Sequence, residues 1–101
     1  MLIFNITFLV SDKVHGSWLK WVREKHIPFM LDSTYFTHPQ VARIITSDKE
    51  DGTSFSVQFH ISDMRTLKQW NQQYSSAFQQ SCSDKFGSEV LFFTTVLEIV
   101  E

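Results

Sequence analysis

The sequence predicts an α+β domain in which two helices cover one face of a four-stranded antiparallel sheet. Three observations lead there. The hydrophobic period runs from two to helical, twice back to two, then helical and two again. The chain has 101 residues, enough to close one core over residues 1–101 and too few for a second. Hydrophobic residues are 43% and charged residues 20%, ordinary globular usage that excludes a disordered chain.

Residues 2–10 alternate strictly. Phe4, Ile6, Phe8 and Val10 share one face, and Ile3, Asn5, Thr7 and Leu9 share the other, which makes a strand with one apolar and one mixed face. Ser11-Asp12 offers a helix N-cap. Val14, Trp18, Val22 and His26 then recur every four residues as one helical stripe, with Lys20, Arg23 and Glu24 mostly opposite. Pro28 biases Ile27 away from helical geometry, so a kink or break is expected near residue 27, with a short helical continuation through Phe29, Met30 and Leu31. Residues 35–47 read as a second strand, and Pro39 near its start predicts an edge position, where a missing N–H is tolerated.

Asp48 to Gly52 is a polar turn ending in an Asp-Gly pair, a hairpin signal. Residues 53–61 form the next strand, with Phe55, Val57, Phe59 and Ile61 on one face and Ser54, Ser56, Gln58 and His60 on the other. Ser62-Asp63 caps a helix over about residues 63–85, with the stripe Leu67, Trp70, Tyr74, Ala77/Phe78 and Ser81. Phe86-Gly87 stops it, Gly87 being free to adopt a left-handed C′ conformation. Residues 89–100 form the last strand, apolar on both faces for most of its length.

The order β-α-β-β-α-β, joined by right-handed crossovers, puts both helices on one sheet face, a ferredoxin-like sandwich. Such a two-layer domain buries one sheet face within the chain. The second face still carries Ile3, Leu9 and one side of the last strand, a larger apolar patch than a monomer usually exposes. A homodimer with sheets packed face to face, as a dimeric α/β barrel, is therefore expected; the alternative is a solvated face. Aromatic residues are 15% of the chain, ten of them Phe, a large apolar surface for this length and in keeping with burial against a partner.

Composition narrows the function. A net charge of -2 supplies no basic field, so nucleic acid is not an expected partner. The single Cys82 cannot form an intrachain disulfide, and no Cys/His spacing resembles a zinc site, so a reducing, cytoplasmic setting without metal or cofactor is expected. The uncharged opening run MLIFNITFLVS lacks a basic n-region and is shorter than the ~20 residues of a membrane helix, so neither a signal peptide nor a membrane span is expected.

Particular residues resemble a known family. W-L-K-W at Trp18 to Trp21 followed by His26-Ile27-Pro28, S-F-S-V-Q-F-H at Ser54 to His60, Phe86-Gly87, and F-T-T-V-L-E at Phe93 to Glu98 resemble the bacterial family catalogued as domain of unknown function 4286. The resemblance spans essentially the whole chain, and implies a bacterial, cytoplasmic protein with no assigned activity. A first helix ending in Trp and His-x-Pro also looks like the dimeric α/β-barrel superfamily, which includes monooxygenases, heme-degrading oxygenases, polyketide cyclases and members without known catalysis. Heme-degrading members combine a first-strand Asn with a Trp and a His on the second helix. Here Asn5 and Trp70 stand, but residues 63–85 hold no His, so the resemblance to the heme-degrading members is incomplete.

Six residues are candidate ligand contacts. Asn5, Thr7, Gln58 and His60, with Ser56, would line the space between paired sheets, as ligand-binding groups or as polar atoms bonded to one another and to trapped water. His26 continues a buried stripe and so is a general base or ligand donor at a barrel mouth, or a packed ring bonded to a carbonyl at the break before Pro28. Arg43 is a counter-charge for an anionic ligand or a salt-bridge partner. Trp18, Trp21, Trp70 and Tyr74 are expected in the core, Trp21 being the exception if there is one, because it lies off the centre of its stripe. Cys82 is expected to be a spectator thiol, and Asp48, Glu50 and Asp51 a solvated hairpin tip.

Two functions of different class remain. One is a non-catalytic dimeric module that binds a small apolar or aromatic molecule or a partner, in the intersheet space or in a cleft beside the helices. The other is a cofactor-independent enzyme of monooxygenase or cyclase type, with His26 or His60 as base. The sequence favours the first, and a His opening onto a substrate-sized pocket is what the second requires.

Overall fold

A computed structural model describes residues 1–45 and 52–101. The strands are β1 (Leu2–Val10), β2 (Thr37–Arg43), β3 (Thr53–Ile61) and β4 (Val90–Glu98). They form one antiparallel sheet in the order β2-β3-β1-β4. Helices α1 (His15–Trp21), α2 (Ile27–Asp32) and α3 (Met64–Phe86) complete the expected β-α-β-β-α-β order.

The alternation fixes the register. Phe4 lies opposite Phe59, Ile6 opposite Val57 and Phe8 opposite Phe55, so the apolar rows of β1 and β3 meet beneath the helices. There they pack with Trp18, Val22, Met30, Leu67, Trp70 and Phe78 in one core. Only the first part of β4 joins it: Val90 is buried and Phe92 half-buried, while the rest of the strand is exposed.

β2 takes the edge that Pro39 predicts. Its register shifts between Thr37 and Gln40, and His38, before the proline, adopts a positive φ of 54°. The strand starts at Thr37 rather than residue 35 and ends at Arg43. Asp48 to Asp51, the expected hairpin tip, lie outside the described residues. Gly52 is described, and its φ of +145° with an ideal Cβ position 2.7 Å from the Val10 carbonyl oxygen explains why glycine stands there.

The first helical layer answers the kink or break expected near residue 27 with an irregular turn. No break occurs before Pro28. The chain instead passes from α1 through a π-helical turn, Val22–His26, into α2, and Ile27 stays helical with its N–H donating to the Val22 carbonyl. A proline ring crowds the carbonyl four residues back in an α-helix, and a π-turn widens the ladder at that point. The same turn resolves the stripe. A spacing of four overshoots the α-helical turn, so Trp18, Val22, His26 and Met30 would drift round a regular helix. The wider turn brings the row back, and all four are buried.

Asp63 caps α3, accepting from the Thr66 N–H at 2.8 Å and holding its carboxyl below the ordinary carboxylate range through that bond. The buried stripe is Leu67, Trp70, Phe78, Cys82 and Phe86. Ala77 and Ser81, expected on it, are exposed, because the buried row advances by fours from Phe78 through Cys82 to Phe86, a spacing that turns the inner face away from them. Gly87 ends the helix at φ 55°, ψ −132°, a positive-φ conformation outside the left-handed helical well. The last strand occupies Val90–Glu98, inside the expected 89–100. Among the described residues no helix is long and apolar enough to cross a membrane.

Candidate functional site

The sheet register divides the candidate residues among three places. Asn5, Thr7, Gln58 and His60 share the face turned away from the helices, since Asn5 lies opposite Gln58 and Thr7 opposite Ser56. Two of these polar groups, Asn5 and Thr7, are already joined in a chain with Ser56. Ser56 Oγ donates to Asn5 Oδ1, and Asn5 Nδ2 donates to Thr7 Oγ1 at 3.0 Å. His60 stands apart and stacks on His38 at 4.6 Å between ring centroids. The His38 contact is absent from simple strand alternation, because the bulge at Pro39 brings that ring over.

Arg43 is separated from this group. It lies opposite Phe55, whose side chain faces the core, so Arg43 belongs to the helix side of the sheet at its exposed edge. A β-bulge upstream shifted the phase of β2, which a period count across residues 35–47 could not register.

The apolar part of the outer face is large. Leu9 lies opposite Leu91, Thr7 opposite Phe93 and Ile3 opposite Leu97. Phe93 is 62% and Leu91 59% exposed, and Leu97 and Leu9 add to the same surface.

His26 lies on the other side of the sheet. It is 2% exposed, at the C-terminal end of the π-turn. Its ring stacks on Trp21 at 5.2 Å and 17° and meets Phe8, Phe59 and Phe78 at 5.9, 5.8 and 5.1 Å. Neither ring nitrogen has a hydrogen-bond partner among the described residues. The carbonyl bond expected at a helix break is absent because the helix does not break. Burial pushes the imidazole pKa down from 6.5 to about 3, so the ring is neutral near pH 7, with one N–H donor and one acceptor nitrogen.

A cavity of ≈ 230 Å³ adjoins His26, with Trp21, Phe29 and Phe78 as its apolar walls and Lys25 and Ser81 in its lining. A wider groove of ≈ 980 Å³ runs between the first helical layer and α3, and Trp21, Lys25, Ala77 and Ser81 line both spaces. The two spaces therefore lie side by side, with those four residues in the lining of both. The expectation that Trp21 is the exceptional tryptophan holds in part: it is buried, yet it walls both spaces. Ala77 and Ser81 are the residues that sequence periodicity put in the core. Their appearance on the groove is the same displacement of the α3 stripe seen from outside. Phe29 and Lys25 carry no signal in the sequence, since what brings them to the cavity is the π-turn. Among the described residues, no group of three His, Cys, Asp or Glu residues could hold a metal ion.

Sheet order and helix placement define a ferredoxin-like α+β protein with a small pocket between its helices. The chain belongs to the family described as Domain of unknown function (DUF4286), whose model matches residues 1–100. Its fold is similar to that of an ethyl tert-butyl ether degradation (EthD) family protein from Bacillus halodurans, with a TM-score of 0.69 and 15% sequence identity over 99% of this chain and 100% of that one. At that identity the likeness shows the fold alone. No curated protein matches the sequence.

Proposed function

We propose that the protein is a non-catalytic small-ligand-binding module of the bacterial cytoplasm, that it works as a homodimer packed through its outer sheet face, and that its ligand enters the pocket beside His26. The single observation that carries the ligand site is an imidazole, unpartnered at both nitrogens among the described residues, in the lining of a largely aromatic cavity. A buried polar group left without a bond costs about 1–3 kcal/mol, and a ligand atom that meets it recovers part of that. The dimer is supported by the exposed row Leu9, Leu91, Phe93 and Leu97, which a second copy covers with the same row by two-fold symmetry. The bonded Ser56-Asn5-Thr7 chain then sits between the sheets as a satisfied polar layer rather than as a ligand site.

The competing enzyme reading draws support from the π-turn, a feature frequent at functional sites. A base with a pKa of about 3 is too weak to take a proton efficiently near pH 7, which favours binding over catalysis at His26. Two measurements test the proposal. Light scattering at micromolar concentration should give twice the 11.9 kDa chain mass, and Phe93→Lys should return the monomer mass with the far-UV spectrum unchanged. Single-ring aromatic probes should shift the NMR resonances of Trp21 and Phe78 and be recovered unaltered. A monomeric wild type sinks the dimer, chemical turnover of a probe sinks the non-catalytic reading, and probes that leave both resonances in place sink the pocket.

A further inference from the structure

If the pocket at His26 is the ligand site, as proposed above, its lining also selects the ligand. Its volume, ≈ 230 Å³, lies below the roughly 300–1,000 Å³ of sites for drug-sized molecules, so it suits one ring rather than two. Its walls are flat and aromatic: Trp21 is parallel to His26 within 17°, and Phe29 and Phe78 close the sides. Such walls favour a planar ring over a branched aliphatic one.

Charge narrows the class further. Lys25 is the one charged side chain in the described lining of the inner cavity, and it also lines the outer groove. Ser81 also lines both spaces and adds a hydroxyl donor. In the groove outside, Lys20 and Lys85 stand with Lys25 against Glu24 and Asp84, and Asp84 already accepts from Gln80 Nε2 at 2.6 Å. The two linings therefore carry a small positive excess, which favours a single negative charge over a cation. A dianion such as a phosphate monoester would find only one ammonium at the pocket.

We infer that the pocket binds a single-ring aromatic carboxylate, its ring between Trp21 and Phe78 beside the His26 ring and its carboxylate at Lys25 and Ser81. A carboxylate accepts from an ammonium and a hydroxyl together.

The test is titration calorimetry on the full-length protein with benzoate, 4-hydroxybenzoate, benzyl alcohol and benzylamine. The two acids should bind and benzylamine should not. Lys25→Gln should weaken both acids roughly fivefold, the upper end for a partly solvated ion pair, and leave benzyl alcohol unchanged. Lys25 is exposed, so the variant folds as the parent does. Equal affinity for benzyl alcohol and benzoate, binding of benzylamine, or indifference of the acids to Lys25→Gln overturns the carboxylate inference and leaves the pocket standing. Failure of all four compounds to bind overturns the pocket itself.

Discussion

Replacing His26 by Phe makes the state of that ring measurable. The substitution keeps a flat ring among Phe8, Trp21, Phe59 and Phe78 and removes two nitrogens that lack partners among the described residues. The slightly larger ring has the adjoining ≈ 230 Å³ cavity to expand into, which limits overpacking. Relief of an unsatisfied buried polar group should stabilise the variant by about 1 kcal/mol at pH 7, the low end of the usual range. Acid enlarges the gap. The folded pKa is lowered from 6.5 to about 3, so between those values the unfolded chain binds a proton that the native chain does not. Wild-type stability is thus fully present above pH 6.5 and falls as the pH drops towards 3, by about 1.4 kcal/mol per unit. Roughly 2 kcal/mol is lost between pH 6.5 and 5 on that slope. Other titrating groups are common to both proteins and cancel in the difference. Urea unfolding with equal m-values should therefore give a gap of about 1 kcal/mol at pH 7 and about 3 kcal/mol at pH 5, in favour of His26→Phe. A gap that does not widen in acid refutes a neutral, desolvated His26, and a variant less stable at pH 7 shows that the nitrogens are bonded.

Three further perturbations probe the frame around the site. Gly52→Ala sets a Cβ against the Val10 carbonyl at a φ of +145° and should lose about 2 kcal/mol or more by urea unfolding, whereas no loss means the turn opens freely. Gly87→Ala carries strain at φ +55° with no close neighbour for its Cβ, so its loss should be smaller, about 1 kcal/mol, and a larger loss than at Gly52 contradicts the contact argument. Cys82 is buried, and burial pushes its thiol up to about 11; at pH 8 the native protein should resist iodoacetamide and react only in urea, by mass spectrometry, and rapid native labelling refutes the packing of α3.

The strands β1 and β3 were legible residue by residue, because period-two alternation leaves one face wholly apolar and any slip of one residue would expose it. The edge position of β2 was legible from Pro39, but its phase was not, and Arg43 went to the opposite face from the other sheet candidates. Local pattern carries no mark of a bulge that depends on how a neighbouring strand is paired. His26 was legible as a buried residue from the four-residue recurrence, and that strict spacing was itself the trace of a π-turn, since a regular helix would rotate the row off its face.

By itself, the sequence determined the α+β class, the element order, the core rows of the sheet, the capping by Asp63, the stop at Gly87 and an outer face richer in apolar residues than water favours. These follow from local periodicity and backbone chemistry, which act over a few residues at a time. Only the tertiary structure decided that a widened turn precedes Pro28 instead of a break, that neither His26 nitrogen finds a hydrogen-bond partner among the described residues, and that Lys25 and Ser81, distant in the chain, line one cavity. Those outcomes depend on contacts between elements distant in the chain, where the room left by one helix is set by the side chains of another.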